Sequence, residues 1–280
     1  MKVLKFRHVL SQLILLMFIT ACTLNSDENA IISTIPTNPP AEIVDATITP
    51  EDAIEASAWE VIAPGIEWRT YLPENIPFGD LIAVRIDPTQ YQFRAHYREG
   101  NPLSLQGWRD ELVNATVIIN ANFFDPENRI LGLLVSDGVR YGASYIDRGG
   151  WFGIQNDQVF VRSNTIQPYQ GETLEQAVQA FPMLVLDGVS IFNNSQGDRQ
   201  TRRTLIAQDT QGRIILMITP LVGMSLVDLS AYLPTTDMNI VNAFNLDGGG
   251  STMMFVDMGT ESYTLRAFDS VPAVLAVYPR

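Results

Sequence analysis

From Trp59 to the C-terminus the chain is a succession of short apolar runs, each stopped by a turn pair. Runs of this length suit strands rather than helices, and turns this frequent suit hairpins. DLIAVRI (80–86) halts at Asp87-Pro88, and YQFRAHY (91–97) alternates as a half-exposed strand does. TVIINANFF (116–124) reads as a buried strand entering a loop. LGLLVSDGVR (131–140) and WFGIQNDQVFV (151–161) read as hairpins about Asp137-Gly138 and Asn156-Asp157. MLVLDGVSI (183–191) is a strand and turn, and RTLIAQDTQGRIILMIT (203–219) is two strands about Gln211-Gly212. IVNAFNLD (240–247) and AVLAVY (273–278) are further strands.

Helical spacing is rarer. Leu105, Trp108 and Leu112 predict a short helix over 104–112 with Ser104 as its cap. Thr173 and Gln176 form a capping box ahead of Leu174, Ala177 and Val178, which predicts a second helix ending near Phe181, before Pro182. Ser225 and Asp228 open a third, with Leu226, Leu229 and Leu233 on one side. Strands and helices do not alternate regularly, so a doubly wound sheet is disfavoured. The expected fold is α+β: a mixed, mostly antiparallel β-sheet with about three packed helices, in a single domain after a signal and a tether.

The N-terminus carries that signal. Lys2, Lys5 and Arg7 precede VLSQLILLMFIT, and Ala21-Cys22 follows. A basic start, a short apolar run and a small residue at the break describe an export signal, since a spanning helix needs about 20 apolar residues. Ile19-Thr20-Ala21-Cys22 resembles a bacterial lipobox, which makes Cys22 the expected lipidation site. Residues 1–22 are thus expected to be a lipoprotein signal peptide, 23–56 a flexible Thr/Pro/Asn-rich tether, and 57–280 the folded domain. The implied location is extracytoplasmic, anchored to the bacterial cell membrane or outer membrane. Cys22 is the only cysteine, so the mature domain has no disulfide, cysteine nucleophile or thiolate metal site.

With 18 Lys and Arg against 31 Asp and Glu, the net charge is −13. That argues against nucleic acid as a partner, while a single phosphate needs only an arginine and a few amides. His96 is the only histidine outside the signal, and no GxSxG accompanies it, which disfavours a Ser-His-Asp mechanism and histidine-held metals. No cofactor is identified, and an oxygen-ligand site for Ca²⁺ or Mg²⁺ stays open.

Chemistry concentrates in three stretches. In FNLDGGGSTMMF (244–255) an aspartate at a strand end is followed by three glycines and two hydroxyls. Gly248, Gly249 and Gly250 allow close approach to a ligand, and successive amides form a concavity for anionic oxygens, with Ser251 adding a donor. The alternative is a plain glycine turn. The stretch is neither a Walker loop nor a dinucleotide fingerprint. GDRQTRRTLIA places Arg199, Arg202, Arg203 and Thr204 just before a strand, where a guanidinium could grip phosphate. For Arg199 a solvated turn is the better reading; for Arg203, beside Thr204, binding is favoured. IINANFFD puts Asn120 and Asn122 on one face of a strand end, and their amides suit sugar hydroxyls or phosphate oxygens. Phe123 and Phe124 fit a sugar platform or core, and Asp125 before Pro126 fits a turn.

Taken in order, NANFF (120–124), PMLVLDG (182–188), RQTRRT (199–204), GMSLVDLSAYL (223–233), LDGGGS (246–251) and VPAVLAVY (271–278) resemble the phosphodiester glycosidase family. The chain departs from that pattern at Ala121-Asn122, often Gly-Gly, and at Arg202, commonly Pro. The resemblance implies hydrolysis of a sugar joined through its anomeric carbon to phosphate. On that reading Asp247 is the catalytic carboxylate, as nucleophile or water-activating base, and Arg203 with the glycine amides and Ser251 holds the phosphate. Asn120, Asn122 and Thr204 complete the substrate contacts. The competing expectation is a non-catalytic envelope lipoprotein that binds glycans or anionic polymers through the same pocket.

Overall fold

The computed structural model describes residues 58–280. The export signal, Cys22 and the tether lie outside the described residues. Every strand pairing between the named strands is antiparallel, and they make three sheets. The largest has eight strands, running Glu60–Ala63, Ile66–Tyr71, Leu81–Ile86, Ile214–Ile218, Thr204–Asp209, Ile240–Asn245, Met183–Leu186 and Val189–Ser190 across its width. A five-stranded sheet orders Ser262–Leu265, Met254–Asp257, Val117–Asn120, Ala273–Pro279 and Tyr91–Tyr97. The other five-stranded sheet orders Val139–Tyr141, Leu134–Ser136, Gln176–Ala180, Gly150–Gln155 and Gln158–Ser163.

One apolar core takes a face from each sheet, with Val84, Leu216 and Phe244 from the first, Ile119 and Leu275 from the second, and Phe152 and Val178 from the third. The opposite face of the eight-stranded sheet is covered by the helix Leu226–Tyr232, which sets Leu229 against Leu184, Leu205 and Met217. The helix Leu105–Glu111 covers the first five-stranded sheet in the same way, through Leu105 and Trp108. Strands covered on both faces read as unbroken apolar runs. LIAVRI and IILMI are therefore buried at every position, whereas YQFRAHY alternates.

Both helix starts fall where their capping residues predict: Ser104 accepts from the amide of Gly107, and Ser225 from that of Asp228. The predicted hairpin pairs Asp137-Gly138 and Asn156-Asp157 have positive φ at both residues, as a two-residue turn requires.

The helix expected from Thr173 to Phe181 does not form. Its place is taken by the strand Gln176–Ala180, set between two partners and buried throughout. The glutamines are not a solvent face. Gln176 Oε1 accepts from the amide of Ala95, and Gln179 Oε1 from the amides of Leu133 and Tyr145. The described residues thus hold two α-helices rather than about three, with short 3₁₀ turns beside them.

Candidate functional site

The stretch LDGGGST is where the chain passes from the eight-stranded sheet to a five-stranded one. The strand Ile240–Asn245 pairs with Thr204–Asp209 in the register Leu205 to Asn245. The amide of Leu246 still reaches Thr204 O at 2.8 Å, but the amide of Asp247 turns to Ala121 O at 3.0 Å. The chain then re-enters order as Met254–Asp257, beside Val117–Asn120. Asp247 is therefore fixed at a seam between sheets.

Asn120 holds the seam. Its Nδ2 donates to Asp247 O at 2.7 Å, and its Oδ1 accepts from Thr204 Oγ1 at 2.8 Å and from the amide of Met253 at 3.1 Å. Asn120 is 1% exposed and Thr204 0%. Asn122 donates to Leu133 O and Gln179 O, both at 2.9 Å, and is likewise buried. Asn120, Asn122 and Thr204, expected to contact substrate, spend their donors on the protein, where leaving a backbone group unpaired is costly, while Asn122 Oδ1 has no partner among the described residues.

The glycine turn is also more committed than its sequence suggests. The amide of Gly248 donates to Asp247 Oδ1 at 2.9 Å, and that of Gly249 to Arg202 O at 2.8 Å. The expected cradle of free amides is absent at these two positions. Gly249 takes φ +61, and a Cβ on Gly250 would lie 2.1 Å from Asp269 Oδ2. The glycines serve close approach, with the Arg202–Arg203 backbone against Gly248 and the Asp269 carboxylate against Gly250.

Asp247 opens into a cleft of about 380 Å³, within the size range of small-ligand sites. Phe123, Phe181 and Phe192 form apolar wall, and Asp198, Arg199, Arg203, Asn245, Gly248 and Gly249 supply polar lining. The Phe123 and Phe181 rings meet at 4.8 Å between centroids. Burial is the main cause that pushes Asp247 up from 3.8 to about 6; hydrogen bonds from Ser251 and the Gly248 amide oppose it, and the Asp269 charge adds to it.

Arg203 stands in the same cleft, as expected, but its guanidinium is engaged: Nε donates to Met224 O at 3.1 Å, and Nη2 to Asp198 Oδ1 at 2.9 Å and Arg199 O at 2.8 Å. Burial lowers its pKa, with Asp198 opposing and the Arg199 charge adding to the fall. Asn245, 4% exposed, donates to Phe181 O and Leu246 O, while its Oδ1 has no partner among the described residues.

Several of these groups escape sequence reasoning. Asn245 could have been found, since a strand of period two sets it on the same side as Asp247. Asp198 and Asp269 carry no local signal. His96 is remote from this cleft's lining and pairs with Tyr278 at 2.9 Å, and Asp125 forms a turn with Arg129. Among the described residues no three His, Cys, Asp or Glu side chains are grouped to hold a metal ion.

The chain matches the family model described as phosphodiester glycosidase over residues 113–278. A Bos taurus N-acetylglucosamine-1-phosphodiester alpha-N-acetylglucosaminidase is 28% identical over 172 residues, covering 53% of this chain and 32% of the bovine protein. The chain therefore spans about a third of that relative's length. Among solved structures, the zebrafish catalytic domain of the same name, auto-inhibited by its pro-peptide, superposes with a TM-score of 0.62 at 20% identity, over 81% of this chain and 87% of that one. A hypothetical protein from Synechocystis gives 0.56 at 18% identity, over 81% and 64%. These likenesses carry the fold, while the family match runs through Asn120, Arg203 and Asp247 alike: the chain is a member of the phosphodiester glycosidase family.

Proposed function

We propose that this cleft hydrolyses the bond between the anomeric carbon of a sugar and the phosphate of a phosphodiester. The carrying observation is Asp247: a carboxylate fixed at a strand end, in a cleft with both aromatic wall and arginine, with its pKa raised to about 6. A base titrating near the working pH is the one best matched to taking a proton from water.

In the proposed step a water oxygen attacks C1 and gives its proton to Asp247. The C1–O bond breaks, and its electron pair leaves with the phosphate. The products are the free sugar and a phosphate monoester. Positive charge grows on the sugar ring beside Asp247, and negative charge grows on the phosphate, toward the arginines. A phosphate leaves readily, so the step makes little demand on a general acid. The bovine relative's name supports the substrate class and leaves the sugar of this chain to be found. The protein works outside the cytoplasm, held to the membrane through acylated Cys22.

Release assays against a panel of sugar-1-phosphodiesters, with and without chelator, test the reading. Wild-type protein should release free sugar from at least one member, and Asp247→Asn should lower the rate by roughly 10²–10³. No release from any member, or full activity in the variant, overturns it. Cys22→Ala should move the protein from the membrane to the soluble fraction; retention in the membrane removes the anchor.

A further inference from the structure

The amide of Gly248 is taken by Asp247 Oδ1 and that of Gly249 by Arg202 O, so neither is free to seat a phosphate. We propose that the guanidinium of Arg199, steadied by Arg203, is the phosphate seat, and that it takes a singly charged phosphodiester in preference to a doubly charged phosphomonoester. The inference rests on the phosphodiester reading above.

Three observations converge. First, Arg203 is built in. Its partner Asp198 has a side chain only 4% exposed and also accepts from the amides of Leu226 at 3.0 Å and Val227 at 2.9 Å. Breaking such a buried pair leaves an uncompensated buried charge, so Asp198 keeps Arg203 and neutralises its charge. Second, the same Arg203 Nη2 holds the carbonyl of Arg199 at 2.8 Å. That fixes the Arg199 backbone while its side chain stays exposed on the cleft lining. Among the described residues the Arg199 guanidinium makes no hydrogen bond, ion pair or ring contact. Third, Arg199 stands close enough to Arg203 to disfavour its charged form, a strain that an anion between them would relieve.

Charge then selects the ligand. Among the charged groups lining the cleft, Arg199 and Arg203 bring two positive charges against two negative ones on Asp198 and ionised Asp247, so no positive surplus remains to hold a second negative charge on the ligand. A phosphodiester brings one negative charge, set against Arg199. A phosphomonoester, whose second ionisation falls at about pH 6, adds a second negative charge near Asp247. Substrate is thereby favoured over product.

Calorimetric titration of the purified full chain at about pH 8 tests this, with hexose 1-(methyl phosphate) diesters and the matching hexose 1-phosphates as probes. At least one diester should bind more tightly than its monoester. Arg199→Gln, at an exposed position, should keep the thermal midpoint and lose roughly 10- to 100-fold in diester affinity. The proposal falls if that variant binds the diester within about threefold of wild type, if the monoester binds as tightly, or if no diester binds. Turnover of the same diester separates the two readings. Unchanged binding in Arg199→Gln beside wild-type turnover removes the seat and keeps the glycosidase. Binding that depends on Arg199, with no turnover of any diester, does the reverse.

Discussion

Replacing Asp247 by asparagine should stabilise the protein while it disables the site, and the gain should depend on pH. In the fold the carboxyl titrates at about 6, against 3.8 ordinarily, because burial disfavours its charge. Between those values the folded chain keeps the proton and the unfolded chain has released it. Wild-type stability therefore falls as pH rises through this window and stays lower above it. At 1.36 kcal/mol per pH unit, the span from 3.8 to about 6 amounts to about 3 kcal/mol. Asparagine has nearly the same shape, can still accept from the Gly248 amide and carries no charge. Its advantage over wild type should grow by about 2.4 kcal/mol from about pH 4 to about pH 8, or roughly 5–10 °C in thermal midpoint for a domain of this size. Other titrating groups cancel in the comparison, since both proteins carry them. Urea unfolding of the two proteins across this pH range measures the difference. A stability gap that stays flat with pH, or a carboxyl that titrates near 4 by NMR, refutes the reasoning. The same burial that costs stability makes the carboxylate a stronger base near neutral pH, a trade that functional sites commonly show.

Two further substitutions test the frame around that carboxylate. Asn120→Ala strips a donor from Asp247 O and an acceptor from both Thr204 Oγ1 and the Met253 amide. At about 1–3 kcal/mol for a buried group left unpaired, the loss should reach roughly 3–5 kcal/mol in urea unfolding; a change near zero would show the seam is held elsewhere. Gly223→Ala would set a Cβ 1.9 Å from Thr201 O at φ +85, where only backbone can yield. It should destabilise by roughly 1–3 kcal/mol in the same assay. Gly250→Ala meets only the tip of the exposed Asp269 side chain, which can swing away, so its loss should stay under about 1 kcal/mol. Equal losses for the two glycines would contradict the contacts assigned to them.

Much of the fold is legible because strand length, turn pairs and caps are local. Asp137-Gly138 and Asn156-Asp157 turn where their φ preferences say, and Ser104 and Ser225 start helices by accepting from the third residue onward. Gln176–Ala180 forms a strand rather than the expected helix for an equally physical reason. A Thr173/Gln176 capping box ahead of Leu174, Ala177 and Val178 has the local look of a helix start, and only tertiary partners reveal Gln176 and Gln179 as buried acceptors for the amides of Ala95, Leu133 and Tyr145. The division into three sheets is invisible in any single run, because it depends on which strands pair.

The site follows the same rule, and its central pair shows why. Arg203 and Asp247 are far apart in the chain, and each looks functional by its own local company. What brings them together is the pairing of Thr204–Asp209 with Ile240–Asn245. In an antiparallel pair with Leu205 opposite Asn245, stepping two residues outward on each strand sets 203 across from 247, at the same end of the sheet. A Cβ at position 248 would lie 3.1 Å from Arg202 O, so glycine there lets the chain pass close to the neighbouring strand without crowding it. The permissive backbone after Asp247 is thus an answer to the neighbouring strand before it is an answer to a ligand. The acid and the arginine meet because a register places them together, and the phosphate is left to the exposed guanidinium at Arg199, which that packing leaves unengaged.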